Sequence, residues 1–151
     1  MEFLIKLFTN PYLLTALTAW FLAQLTKVIL NFVIHKKVIW ERLIGDGGMP
    51  SGHSATVAAL ATATAILQGP DSVAFALAGI LAIVVCHDAM GVRQETGKQA
   101  QILNELIQIL ESEDLPEVKL KELVGHTPLQ VLMGILLGIS TALVMCTLLF
   151  L

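Results

Sequence analysis

Two histidines lie at the edges of apolar segments, where they could transfer protons or attack an electrophile. His53 belongs to GDGGMPSGHSA, residues 45–55, and His126 to GHTPLQVLMG, residues 125–134. A histidine acts as a general acid, or as a nucleophile once a partner fixes its tautomer. Gln130, four residues after His126 along a helix, or Asp88 could supply that partner. The simpler alternatives are an incidental histidine in a capped helix and an interfacial histidine with satisfied hydrogen bonds.

Residues that suit an anion accompany these histidines. Ser51 and Gly52 precede an apolar segment, so they are predicted to begin a helix whose free N–H groups and dipole favour phosphate. Gly52 would let the backbone approach the anion closely. Lys27 and Asp88 fall within apolar segments, where ionisable residues are costly and indicate function. The acidic residues are too scattered for a carboxylate metal site, so we expect no metal and no cofactor.

Four apolar segments must position these residues. The chain of 151 residues is 56% hydrophobic and 14% charged, with a mean hydropathy of +0.78, whereas soluble domains carry about 25% charged residues. A membrane span needs about 20 mainly apolar residues. The predicted spans are Pro11–Ile34, Ser51–Gln68, Val73–Met90 and Pro128–Leu151. We therefore predict one all-α domain over residues 1–151, a polytopic membrane helical bundle with about four transmembrane helices; a soluble helical core is the alternative.

A polar insert, residues 94–125, separates the third and fourth spans. Its first part predicts an amphipathic helix on the membrane or on a partner subunit, with apolar residues at Ile102, Leu103, Leu106, Ile107 and Leu110. A short helix is predicted at residues 117–124, and another interfacial helix at residues 1–10. Thr127 is the expected N-cap of span four, and Gly134 and Gly138 form a GxxxG packing face there. A homodimer would help four short spans to enclose a site.

The basic residues predict the orientation. Seven of the nine Lys and Arg residues fall in the loops at residues 34–50 and 91–127, which four spans place on one side. The positive-inside rule assigns that side to the cytoplasm of a cell-membrane protein. The net charge of −3 gives no indication of the basic surface that nucleic-acid binding requires, so we expect no nucleic-acid partner.

The motifs resemble a known family of membrane enzymes. PSGH, together with a later histidine followed by spaced glycines, is similar to the type 2 phosphatidic acid phosphatase (PAP2) superfamily, which includes the vanadium haloperoxidases. GGMPSGHSA, DAMGVRQETGKQA and GHTPLQVLMG resemble its small divergent branch. The resemblance runs from about Gln24 to Gly138, which is most of the chain.

The resemblance implies a role for each matching residue. It makes His126 the nucleophile and His53 the general acid, and it places Gln130 where the family has an Asp. We expect Asp88 to supply the negative charge that would stabilise the imidazolium in place of this Asp. The phosphate-binding residues implied are Lys27, Arg42, Ser51, Gly52 and Arg93. Arg42 lies farther along the chain from Lys27 than the corresponding Arg does in the family pattern.

The implied function is hydrolysis of a lipid phosphate or diphosphate through a phosphohistidine, without a metal, at the cytoplasmic membrane surface. Phosphatidate, phosphatidylglycerophosphate and polyprenyl diphosphates are the expected substrate classes. Two alternatives come from other classes: a catalytically silent protein that binds a lipid headgroup, and an assembly protein whose amphipathic helix recruits a partner. The missing Asp and the displaced Arg favour the first of these alternatives.

Overall fold

The computed structural model describes residues 1–36, 48–110, 120 and 125–150, and every regular element in these ranges is helical. The prediction of an all-α protein is confirmed. In chain order the helices are α1 Glu2–Phe8, α2 Pro11–His35, α3 Gly52–Gln68, α4 Val73–Met90, α5 Val92–Leu110 and α6 Pro128–Met145, followed by a π-helical turn at Cys146–Phe150.

The helix starts follow from local capping chemistry. Asn10 accepts hydrogen bonds from the first-turn N–H groups of Tyr12 and Leu13 at 3.0 and 3.1 Å, and Pro11 needs no acceptor there. Thr127 caps α6 as predicted, with Pro128 as the first helical residue. Four helices begin within one residue of a predicted span start: α2, α3, α4 and α6.

The chain is an integral membrane protein. Within the described residues, three stretches are long and apolar enough to cross a bilayer: Pro11–Ile34, Val73–Ile109 across α4 and α5, and Pro128–Phe150. The fourth predicted span, α3, has 17 residues, at the short end of the range for a transmembrane helix. These elements support a bundle with about four transmembrane helices.

Helix α3 lies at the centre of the bundle and packs against α2, α4 and α6. The core consists of small residues, including Ala19, Ala55 and Ala59, each with no exposed surface, so the helix backbones approach closely. Large apolar side chains instead point outward, such as Ile83, which is 65% exposed. This inside-out distribution suits a lipid environment.

The GxxxG face of α6 is used within the chain. A Cβ at Gly134 would overlap the carbonyl oxygen of Ser51, and one at Gly138 would overlap that of Ala55. Both glycines are buried against α3. This face is therefore not the surface through which a second copy would bind.

The amphipathic helix of the insert is present as α5. Ile102 and Ile109 are 57% and 79% exposed, as expected for a helix with an apolar face toward a membrane. Asn104, which the sequence pattern places on the polar side, is instead buried. Its amide donates to the Leu120 carbonyl and accepts from the Leu120 N–H, both at 2.9 Å. The short helix predicted at residues 117–124 lies outside the described residues, apart from Leu120.

Candidate functional site

The N-terminus of α3 is held in place by Ser51. Its N–H donates to the Gln130 carbonyl at 2.9 Å, which ties α3 to α6. Its hydroxyl accepts from the N–H of Ser54 at 3.3 Å and from the Ser54 hydroxyl at 3.0 Å. Ser51 is thus a buried N-cap. The helix provides no acceptor of its own for the next two N–H groups, those of Gly52 and His53.

His126 lies two residues before the first residue of α6. Its N–H donates to the Ala89 carbonyl near the end of α4 at 3.0 Å, and its side chain is buried. Gly125 has a φ of +93°, and a Cβ there would lie 2.6 Å from the Gln94 nitrogen at the start of α5. Both the left-handed conformation and the close approach require glycine. The conformation of Gly125 therefore allows His126 to lie between α4 and α6.

The cap of α6 also fixes the tautomer of His126. Gln130 Oε1 accepts from the Thr127 N–H at 3.1 Å, and the same oxygen lies 3.2 Å from His126 Nδ1. Because the Thr127 N–H can only donate, the atom that faces it is an acceptor, and His126 Nδ1 must then donate to that acceptor. The neutral imidazole consequently carries its lone pair on Nε2. That is the nitrogen that could act as a nucleophile.

The structure brings the two histidines together. The ring centroids of His53 and His126 are 6.2 Å apart, and the rings are tilted by 58°. Hydrogen bonds and near-attack contacts span about 3 Å, so one phosphoryl group between the rings can contact both. His53 follows Gly52 in the first turn of α3, which places the same group beside the N-terminus of that helix.

Asp88 pairs with Arg93 across the corner between α4 and α5. Arg93 Nε lies 3.2 Å from Asp88 Oδ2, and both side chains are partly exposed. The sequence left Gln130 and Asp88 open as partners of His126. The hydrogen bond at His126 Nδ1 is with Gln130, while the carboxylate of Asp88 holds a cation that the sequence assigns to phosphate binding.

Helix α2 contributes a buried polar row. Gln24, Lys27 and Asn31 are 6%, 5% and 7% exposed, and their spacing places them on one helix face. A Cβ at Gly52 would lie 3.9 Å from Gln24 Cδ and 3.5 Å from Trp20 Cδ1. This face of α2 therefore lies against the start of α3. Of these three residues, only Lys27 has a role predicted from the sequence, although the spacing of all three is visible there.

Comparison with known proteins agrees with this architecture. Residues 8–141 match the Divergent PAP2 family. The chain belongs to that family. The uncharacterized membrane protein YuiD of Bacillus subtilis (strain 168) is 41% identical over 152 residues, covering 93% of this chain and 96% of the relative. No solved structure matches the chain at a significant level.

Two predictions for this divergent PAP2 protein concern Arg42 and a metal ion. Arg42 lies outside the described residues and stays a prediction. Among the described residues, no group of three or more His, Cys, Asp and Glu side chains is arranged to hold a metal ion. Near the start of α3, His53 lies beside His126, and Gln24 of α2 approaches Gly52.

Proposed function

We propose that this divergent PAP2 protein is an integral membrane phosphatase that hydrolyses a lipid phosphate or diphosphate through a phosphohistidine at His126. The observation that carries the proposal is the pairing of two histidines, whose ring centroids lie 6.2 Å apart. It is supported by the contact of Gln130 Oε1 with His126 Nδ1 at 3.2 Å. One histidine is thus set up as a nucleophile, and a second is within reach of the same phosphoryl group.

In the first step, His126 Nε2 attacks phosphorus. The P–N bond forms as the bond between phosphorus and the leaving oxygen breaks, and protonated His53 gives its proton to that oxygen. The products are a dephosphorylated lipid and a phosphohistidine. Gln130 keeps its hydrogen bond to Nδ1–H throughout, which holds the ring in one orientation.

In the second step, water takes the place of the lipid oxygen. His53, now neutral, accepts a proton from the water as its oxygen attacks phosphorus. The P–N bond breaks, phosphate leaves, and the electron pair returns to His126 Nε2. Both histidines are then in their starting states.

Positive charge and backbone donors would stabilise the phosphoryl oxygens in both steps. The Gly52 N–H lies at the positive end of the α3 dipole, and Lys27 supplies a cation from α2. Arg93 is the third group, oriented by Asp88. We include Arg42 here on sequence grounds. Fixed donors of this kind act without reorganisation during the reaction.

The substrate would approach from the cytoplasmic leaflet. The distribution of Lys and Arg favours this side for the loops that flank α3 and α6. Phosphatidate and phosphatidylglycerophosphate carry a terminal phosphate at that surface, and polyprenyl diphosphates share the same chemistry. A second copy of the chain could complete the enclosure, through a face other than the GxxxG face of α6.

The test is phosphate release by the purified protein in detergent or liposomes, from lipid monophosphates and diphosphates. We expect activity that vanadate inhibits and that persists in EDTA. His126→Ala should lower kcat by about a thousandfold or more, and His53→Ala by about 10²–10⁴-fold. His87→Ala, at an exposed histidine on α4, is the matched control and should retain wild-type turnover. Wild-type turnover in both site variants would refute the mechanism.

The neutral side chain of Gln130 favours one alternative, a protein that binds a lipid phosphate without hydrolysing it. An amide orients an imidazole but does not stabilise imidazolium as a carboxylate does. To separate the two functions, the protein is incubated with labelled substrate, and acid-stable and acid-labile phosphate on the protein are measured. Labelling that is acid-labile and absent from His126→Ala supports the phosphatase; binding of lipid phosphate without any labelling or release supports the alternative.

A further inference from the structure

The amide oxygen of Gln24 is a polar atom that the proposed mechanism does not use. Gln24 is 6% exposed, and within the described part of the chain its Oε1 is fully buried with no hydrogen-bond partner. Buried polar atoms in proteins are almost always hydrogen-bonded, and an orphaned acceptor costs free energy. Such an atom beside a candidate site points to a ligand that donates to it.

The position of Gln24 indicates where that ligand binds. Its Cδ lies 3.9 Å from the place of a Cβ on Gly52, the first residue of α3. Lys27 follows one turn later on the same buried face of α2. A phosphate at the N-terminus of α3, between the Gly52 N–H and Lys27, would therefore lie next to the Gln24 amide.

The chemistry of the amide oxygen restricts which anions can bind next to it. A carboxamide oxygen only accepts hydrogen bonds, and so do the deprotonated oxygens of an oxyanion. The contact is favourable only if the anion offers an O–H. A terminal phosphate has a second pKa near 6 and carries a P–OH for part of the time at neutral pH, whereas a phosphodiester and sulfate have none.

We propose that Gln24 Oε1 accepts a hydrogen bond from the P–OH of a terminal phosphate, and that it makes the site selective for phosphate monoesters and terminal diphosphates over phosphodiesters and sulfate-like anions. This inference rests on the proposed function for the position of the anion. It adds a specificity-determining residue, since a site built to pair an O–H rejects analogues that lack it.

Tryptophan fluorescence offers a test by binding alone. Trp20 Cδ1 lies 3.5 Å from the Cβ position of Gly52, so its emission should respond to an anion there. The chain has two tryptophans, and Trp40→Phe leaves Trp20 as the single reporter. Phosphate, sulfate and molybdate are titrated at pH 7 and constant ionic strength into the detergent-solubilised protein. Sulfate and molybdate lack an O–H at this pH.

Three further variants are made in the Trp40→Phe background. Gln24→Met removes the acceptor at nearly constant size, and Gln24→Glu keeps an acceptor oxygen. Thr15→Val is the matched control, because Thr15 is another fully buried polar residue of α2, bonded within the helix to the Pro11 carbonyl and more than two turns away. Helix content and thermal unfolding are measured for each.

The reporter protein should bind phosphate about tenfold more tightly than sulfate or molybdate, the size of one hydrogen bond to a charged group. Gln24→Met should lose about tenfold for phosphate and less than twofold for the other two anions, and so lose the selectivity. Gln24→Glu should keep the preference for phosphate, and Thr15→Val should leave all three affinities unchanged.

Several outcomes would overturn the inference: equal losses for phosphate and sulfate in Gln24→Met, no loss at all, or no preference for phosphate in the reporter protein. A loss confined to lipids with a glycerol headgroup, measured by turnover, would also overturn it, because Gln24 would then contact a headgroup hydroxyl. Failure of the proposed function has a different signature: phosphate binds selectively through Gln24, but no lipid phosphate is hydrolysed.

Discussion

The two sides of α3 differ in how they contact their neighbours. Along the α3–α6 seam, where Gly134 and Gly138 meet Ser51 and Ala55, a Cβ on either glycine would overlap a backbone oxygen. Along the α2–α3 seam, where Gly52 meets Trp20 and Gln24, a Cβ would lie at ordinary contact distances of 3.5 and 3.9 Å.

This difference distinguishes two reasons why a glycine can occupy a helix contact: close packing and space for a ligand. Packing alone requires Gly134 and Gly138, because α6 could not approach α3 with any larger residue. Packing does not require Gly52. The helix facing it carries the buried cation of Lys27 and the Gln24 amide oxygen, and the latter has no hydrogen-bond partner among the described residues. The α3–α6 seam therefore fixes the geometry of the site, and the α2–α3 seam is where we expect the anion.

The largest effect should follow from Gly134→Ala, which forces the α3–α6 seam apart. Overpacking typically costs about 1–3 kcal/mol, and here the clash is with backbone that cannot rotate away. We expect a lower midpoint of thermal unfolding in detergent and loss of both turnover and anion binding, since Ser51 and Gln130 would separate.

Gly79→Ala is the control for that variant. Gly79 lies in α4 with nothing within 4 Å of its Cβ position, and alanine is the better helix former, so its unfolding midpoint should be unchanged or higher. Equal midpoints for the two variants would contradict the closed nature of the α3–α6 seam.

A smaller effect is expected from Gln130→Met, which leaves the seam in place but removes the acceptor for His126 Nδ1–H. An imidazole without its orienting partner samples the wrong tautomer, so we expect phosphate release to fall by about ten- to a hundredfold. The lost capping-box hydrogen bond from the Thr127 N–H should cost about 1 kcal/mol of stability.

Ser72→Ala separates these two effects. Ser72 caps α4 through the Phe75 N–H at 3.1 Å, so its loss should cost similar stability and leave turnover intact. If Ser72→Ala and Gln130→Met reduced turnover equally, the hydrogen bond to His126 would have no special role.

The smallest effect should come from Gly52→Ala in the α2–α3 seam. The new methyl fits against Trp20 and Gln24, so the unfolding midpoint should stay the same. Because the methyl occupies space beside the first N–H of α3, vanadate inhibition should weaken by about three- to tenfold, comparable to one impaired hydrogen bond. An unchanged inhibition constant would place the anion elsewhere.

Much of the fold is predictable because helix starts and membrane spans depend on local chemistry. The Thr127–Pro128 start of α6 and the break at Gly91 between α4 and α5 follow from capping residues and glycine, and the spans follow from length and composition. The proximity of His53 to His126 is visible in sequence only through the resemblance, since 72 residues separate the two.

Contacts between helices are harder to predict from a sequence. Asn104 looks like a surface residue of an amphipathic helix, yet it is buried because it pairs with the Leu120 backbone. Gln24 resembles an ordinary interruption of an apolar span until its contact with Gly52 is known. In both cases the role depends on which segment packs opposite, and periodicity along one helix does not contain that information.

The length of α3 has a consequence for kinetics. With a rise of 1.5 Å per residue, its 17 residues extend about 25 Å, less than the roughly 30 Å of a bilayer's hydrocarbon core. A helix of this length, when centred in the bilayer, ends at the edge of the hydrocarbon layer without projecting into bulk water. For the phosphatase proposed above, the effective substrate variable is the mole fraction of lipid phosphate in the membrane. Diluting the substrate with inert lipid should slow the enzyme even when the total amount in the tube is constant.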